Sequence, residues 1–131
     1  MSVFGNFASD EVIDAAEKVI SKMDESALAS AIERSEQTMS PQGRGLLVEA
    51  IFGAFRQRGE SSEDAAEGAG ASLEEIQRHD SNAVRKLLTY ARANPGLLKE
   101  ATVGLIEREP DMLEELSPEI AGGVRERLLE R

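Results

Sequence analysis

The chain has 131 residues, of which 40% are hydrophobic and 31% are charged, and it carries a formal net charge of −10. This length suits one domain, and the absence of cysteine excludes disulfide bonds, thiolate metal sites and a catalytic thiol. The acidic balance disfavours nonspecific binding to nucleic acid or to anionic lipid, because both are negatively charged.

The N-terminal residues contain no basic segment followed by an apolar run, so we expect no secretory signal. No stretch approaches the roughly 18 consecutive apolar residues that a membrane-spanning helix needs. We therefore expect a soluble, cytoplasmic protein that forms a single domain over residues 1–131 and has no membrane partner.

Apolar residues recur at helical spacing along almost the whole chain, and no alternating run or hairpin turn interrupts them. The sequence predicts an all-α fold, a single-domain irregular or solenoid-like bundle of about six to eight short helices. Ser9 is predicted to cap the first helix, and Asp24 or Ser26 the second. Three further helix starts are predicted where a capping side chain precedes proline: Ser40-Pro41, Asn94-Pro95 and Ser117-Pro118.

The helix after Pro41 is predicted to be the central buried helix, because Leu47, Ile51 and Phe55 form an apolar stripe along it. Gly59 is its predicted stop. Further along the chain, Tyr90 lies on another amphipathic helix.

Residues 62–79 resemble the helix-turn-helix pattern. Ala66, Gly70 and Ile76 take the positions of the small residue, the turn glycine and the buried aliphatic residue. Ser72 is predicted to cap the second helix, where Glu75 would complete a capping box. The simpler interpretation of this segment is a tight corner between two helices of a bundle.

The DNA-binding alternative depends on basic residues that follow this corner. Glu74 and Glu75 occupy the first turn of the second helix and would repel phosphate. Residues 60–77 contain six acidic and no basic residues, whereas residues 78–108 contain six basic and three acidic ones. The residues that could contact an anion or a nucleic acid are Gln77, Arg78, Arg85, Lys86 and Arg92.

No set of residues indicates catalysis, so we predict no catalytic, cofactor-binding or metal-binding residue. His79 is the only histidine and is expected to be a surface or capping residue. Carboxylate pairs at helical spacing, such as Glu63 with Glu67, could hold a divalent cation, but 25 acidic residues in a helical chain produce such pairs by chance. No phosphate-binding loop motif is present.

Phe4 and Phe7 precede the first helix and are the most informative apolar pair outside a helix. They are expected either to staple that helix within the chain or to dock into a partner or a second copy. Together these observations favour a non-enzymatic interaction or regulatory module that binds another protein or itself. Such a module is expected to expose an apolar patch with a charged rim.

Overall fold

A computed structural model describes residues 7–130 of the chain. Within this range the chain forms eight α-helices and one 3₁₀ helix and no strand, which confirms the all-α prediction. In the same range, no helix combines the length and the apolar character needed to cross a membrane. The α-helices are α1 Ser9–Lys22, α2 Glu25–Thr38, α3 Pro41–Gln57, α4 Ser62–Ala69, α5 Leu73–Gln77, α6 Ser81–Arg92, α7 Leu97–Arg108 and α8 Pro118–Leu129, and the 3₁₀ helix spans Pro110–Glu115.

Helix α7 occupies the centre of the bundle. It packs against α1, α2, α3 and α6 and against the 3₁₀ helix. Helix α3 buries Leu47, Ile51 and Phe55 as predicted, but it packs on one side of α7 and is not itself the central helix.

The two ends of the described chain meet, because α1 packs against α8 as well as α7. In a solenoid each unit contacts only its neighbours along the chain. The contact between the first and last helices therefore makes this fold an irregular closed bundle. Its interior is mainly aliphatic, and Ile20, Leu28, Ile51, Leu87 and Ile106 are among its fully buried residues.

Two proline-marked helix starts lie where the sequence predicts them. Ser40 caps α3, since its hydroxyl oxygen accepts a hydrogen bond from the Gly43 backbone N–H at 3.0 Å. Helix α8 begins at Pro118, directly after Ser117. Helix α2 is capped by Asp24, the first of the two predicted residues.

The predicted start at Asn94-Pro95 is wrong, because α7 begins two residues later at Leu97. Gly96 has a φ of +79°, a left-handed conformation that turns the chain before the helix can start. The Asn94 side chain instead donates a hydrogen bond to the Tyr90 carbonyl at 2.9 Å and so closes the end of α6. The predicted capping role of Ser9 is also wrong. Ser9 is the first residue of α1, and Ala8 occupies the capping position.

A buried serine joins α2 to the start of α8. The Ser35 hydroxyl donates a hydrogen bond to the Ala31 carbonyl at 2.8 Å and accepts one from the Ser117 backbone N–H at 2.7 Å. Ser35 is 1% exposed, so water cannot replace it as the acceptor for that N–H. The contact links two residues 82 positions apart in the chain.

Replacing Ser35 with alanine is expected to destabilise the protein by about 1–3 kcal/mol, because the Ser117 N–H then stays buried without an acceptor. The free energy of unfolding, measured by urea titration, checks this. The matched control is Thr102→Val, since the buried Thr102 hydroxyl donates only to the Leu98 carbonyl of its own helix. Equal losses in the two variants would contradict this role of Ser35.

Candidate functional site

Several basic side chains hold the bundle together. Arg58 shows this most clearly: it pairs with Glu100 at 2.9 Å and donates a hydrogen bond to the Pro95 carbonyl at 2.9 Å. The others that bind within the bundle are Arg34 with Glu119, Arg44 with Glu36, Arg56 with Ser62 and Lys99 with the Ser21 carbonyl. These residues have structural partners and are not free to bind a ligand.

The five residues proposed from the sequence for anion contact differ from that group. All five are exposed, and none forms an ion pair with any residue in the range 7–130. Lys86 makes one hydrogen bond, a 3.4 Å contact from its Nζ to the Gly70 carbonyl. The five are Gln77, Arg78, Arg85, Lys86 and Arg92.

The structure brings Arg85 and Lys86 together beside a surface groove of about 610 Å³, which we name the α4–α6 groove. Its lining includes Gly68 and Ala69 from the end of α4 and Arg85, Lys86, Thr89 and Tyr90 from α6. Arg92 follows Arg85 by seven residues, close to two helical turns, and so lies on the same stripe of α6. Gln77 and Arg78 lie at the end of α5 and do not line this groove.

Tyr90 has a fixed position in the groove. Its ring stacks on Phe55 with the centroids 5.2 Å apart and the planes at 19°. Its hydroxyl donates a hydrogen bond to Glu60 Oε2 at 2.7 Å. A Cβ at Gly68 would lie 2.5 Å from Tyr90 Cζ, so only glycine leaves space for the ring.

Substituting Gly68 with alanine is expected to displace Tyr90 and to destabilise the protein by about 1–3 kcal/mol, because the added methyl overlaps the ring. Gly104 is the matched control, since it is also helical and its Cβ would meet no other atom within 4 Å. Gly104→Ala is expected to stabilise the protein by up to about 1 kcal/mol through helix propensity. Thermal unfolding of both variants tests whether Gly68→Ala lowers the stability of the protein while Gly104→Ala raises it. A Gly68→Ala variant more stable than the wild type would contradict the proposed position of Tyr90.

The surroundings of Tyr90 also favour its neutral form. The hydrogen bond to Glu60, partial burial and the negative charges of Glu60 and Asp64 all raise the pKa of Tyr90 above its ordinary value. The folded state therefore holds the phenol proton more tightly than the unfolded state does. The resulting stabilisation is complete below the ordinary tyrosine pKa of about 10 and is lost as pH rises through the raised pKa of the folded protein.

Glu60→Gln is expected to lower the pKa of Tyr90 towards its ordinary value, because it replaces the carboxylate acceptor with a weaker neutral amide and removes the negative charge of Glu60. Tyr90 is the only tyrosine and there is no tryptophan, so absorbance of the phenolate reports this one residue. Asp64→Asn, the control, should lower the pKa less, because the charge of Asp64 is the smallest of the causes. Above about pH 10, stability should fall more steeply in the wild type than in Glu60→Gln, and parallel curves would contradict the assignment.

His79 closes α5. It has a φ of +63°, and the backbone N–H groups of His79 and Asp80 bond back to the Ile76 and Glu75 carbonyls at 2.9 and 3.1 Å. Its imidazole lies over Gly45, where a Cβ would be 3.2 Å from both Cε1 and Nε2. In the part of the chain that the structure describes, no three histidine or acidic residues are grouped closely enough to hold a metal ion.

Residues 62–79, which resemble the helix-turn-helix pattern in sequence, form a tight corner between α4 and α5. Ala66 and Ile76 are buried, and Gly70 has a φ of +74° at the turn. The Ser72 hydroxyl accepts a hydrogen bond from the Glu75 N–H at 3.4 Å and caps α5. Helix α5 has only five residues, however, and its Glu74 and Glu75 side chains are exposed.

Phe7 is half-buried and packs against the core of its own chain. Phe4, the other residue proposed for docking, lies outside the described residues. Sequence reasoning missed Gly68 as a residue of the groove, and it noted Tyr90 only as part of an amphipathic helix. The signal that could have pointed to the groove is the change from acidic to basic residues near position 78.

Comparison of the chain with protein-family models, with curated proteins and with solved structures found no match.

Proposed function

We propose that this chain is a non-enzymatic interaction module that binds an acidic protein segment in the α4–α6 groove. The observation that supports this most is the pair Arg85 and Lys86, which line the groove and form no ion pair within residues 7–130 although the chain has a net charge of −10. Cations without a carboxylate partner in so acidic a chain favour a negatively charged ligand.

The groove also offers apolar contact of modest extent. Gly68, Ala69 and the Tyr90 ring supply a surface against which a helical segment could pack. Leu129, 69% exposed, is the only large hydrophobic side chain that is exposed in the described range. Binding is therefore expected to depend strongly on charge and to weaken with salt.

The DNA-binding alternative has less support. A helix that reads DNA places its first turns against bases and phosphates. Here those turns expose Glu74 and Glu75, and α4 before them exposes Glu63, Asp64 and Glu67. These carboxylates would repel a continuous phosphate backbone laid across α4 and α5.

Tyr90 emission provides a direct test at micromolar protein, since no other tyrosine or tryptophan contributes. We expect a saturable change on adding an amphipathic Leu/Glu helical peptide, and none with a Leu/Lys peptide or a random-sequence DNA duplex. Arg85→Glu/Lys86→Glu is expected to weaken peptide binding at least about tenfold, a loss of about 1.4 kcal/mol.

The matched control is Arg108→Glu/Arg125→Glu, which changes the net charge equally at two exposed residues away from the groove. It should bind the Leu/Glu peptide nearly as well as the wild type does. No response to this peptide, or equal losses in the two double variants, would contradict the proposed function. A response to the duplex that requires Arg85 and Lys86 would favour the DNA-binding alternative.

A further inference from the structure

We infer that the acidic segment bound in the α4–α6 groove is helix α4 of a second copy of this chain, so that the protein forms a two-fold symmetric dimer. This inference rests on the proposed function and names the partner for the same groove. Charge complementarity identifies this partner, because the acidic helix α4 lies next to the basic groove on the same surface of the molecule.

Helix α4 has the chemistry that the groove requires. Its exposed residues include Glu63, Asp64 and Glu67, and it carries no basic residue. None of these carboxylates forms an ion pair within the range 7–130. Both the cations of α6 and the anions of α4 therefore lack partners of opposite charge inside one described chain.

Helices α4 and α6 also lie side by side, which a symmetric dimer through this surface requires. Helix α4 packs directly against α6, and its last residues Gly68 and Ala69 line the groove. Asp64 lies one helical turn before Gly68 on the same face of α4. A two-fold axis beside the groove would place α6 of each copy against α4 of the other, so that one surface supplies both halves of the contact.

The net charge of −10 on each copy sets the conditions for association. Remote like charges repel at very low salt, whereas high salt weakens the contacts between α4 and α6. At about 0.1 M salt the Debye length is about 10 Å, so the remote repulsion is screened while contacting pairs still attract. Dimerisation is therefore expected to be strongest near this salt concentration and weaker on either side.

Light scattering of the purified protein at rising concentration tests the inference. The weight-average mass of the wild type should rise from 14.2 kDa towards twice that value at about 0.1 M salt. Arg85→Glu/Lys86→Glu and, separately, Asp64→Lys/Glu67→Lys should stay monomeric, since each makes both contacts of the dimer repulsive. Arg108→Glu/Arg125→Glu should dimerise as the wild type does. Circular dichroism confirms that each variant is folded.

An equimolar mixture of Arg85→Glu/Lys86→Glu and Asp64→Lys/Glu67→Lys, which we call the two groove variants, provides the decisive comparison. In the mixed dimer, reversed α6 meets reversed α4 and the two unchanged helices meet each other, so both contacts become attractive again. The mixture should therefore dimerise although neither variant does alone. A wild type that stays monomeric, a groove variant that still dimerises alone, or a mixture that stays monomeric would each overturn the inference. If the protein is monomeric but still binds the Leu/Glu peptide through Arg85 and Lys86, the proposed function stands and only the choice of partner is wrong.

Discussion

The packing of α7 inside the bundle is the constraint on which the other elements depend. Helix α7 buries Leu97, Leu98, Leu105 and Ile106 and contacts four other helices and the 3₁₀ helix. Burial of such aliphatic side chains is the main favourable contribution to folding in a chain without disulfides or described metal sites. Because α3 and α6 both pack against α7, this helix also sets where Phe55 and Tyr90 meet.

The α4–α6 groove follows from that arrangement and from one glycine. Phe55 holds one face of the Tyr90 ring, Glu60 binds its hydroxyl, and Gly68 leaves the space that the ring occupies. Several other cations connect parts of the bundle, as Arg58 does by pairing with Glu100. Arg85 and Lys86 form no ion pair in the described chain, and the acidic residues Glu63, Asp64 and Glu67 of α4 are exposed and form none either.

Local features of the fold could be predicted from the sequence, since capping and turn chemistry act over a few residues. Ser40, Ser72 and Gly70 behave as their neighbours in sequence indicate. The predicted start of α7 at Asn94-Pro95 is wrong because Gly96 has a positive φ, which turns the chain before the helix begins at Leu97. Long-range relations such as Ser35 with Ser117 could not be predicted, because no periodicity shows which helices become neighbours.

In the candidate site, too, the local features could be predicted from the sequence and the long-range contacts could not. Arg85 and Lys86 could be selected from their charge, but the groove between them and α4 requires the packing of α4 on α6. With so few large apolar groups exposed among residues 7–130, a contact at this groove would gain little from burial and much from opposite charge. Surface ion pairs contribute at most about 1 kcal/mol each. An association built from a few such pairs is therefore reversible, and its strength follows the ionic strength of the surroundings.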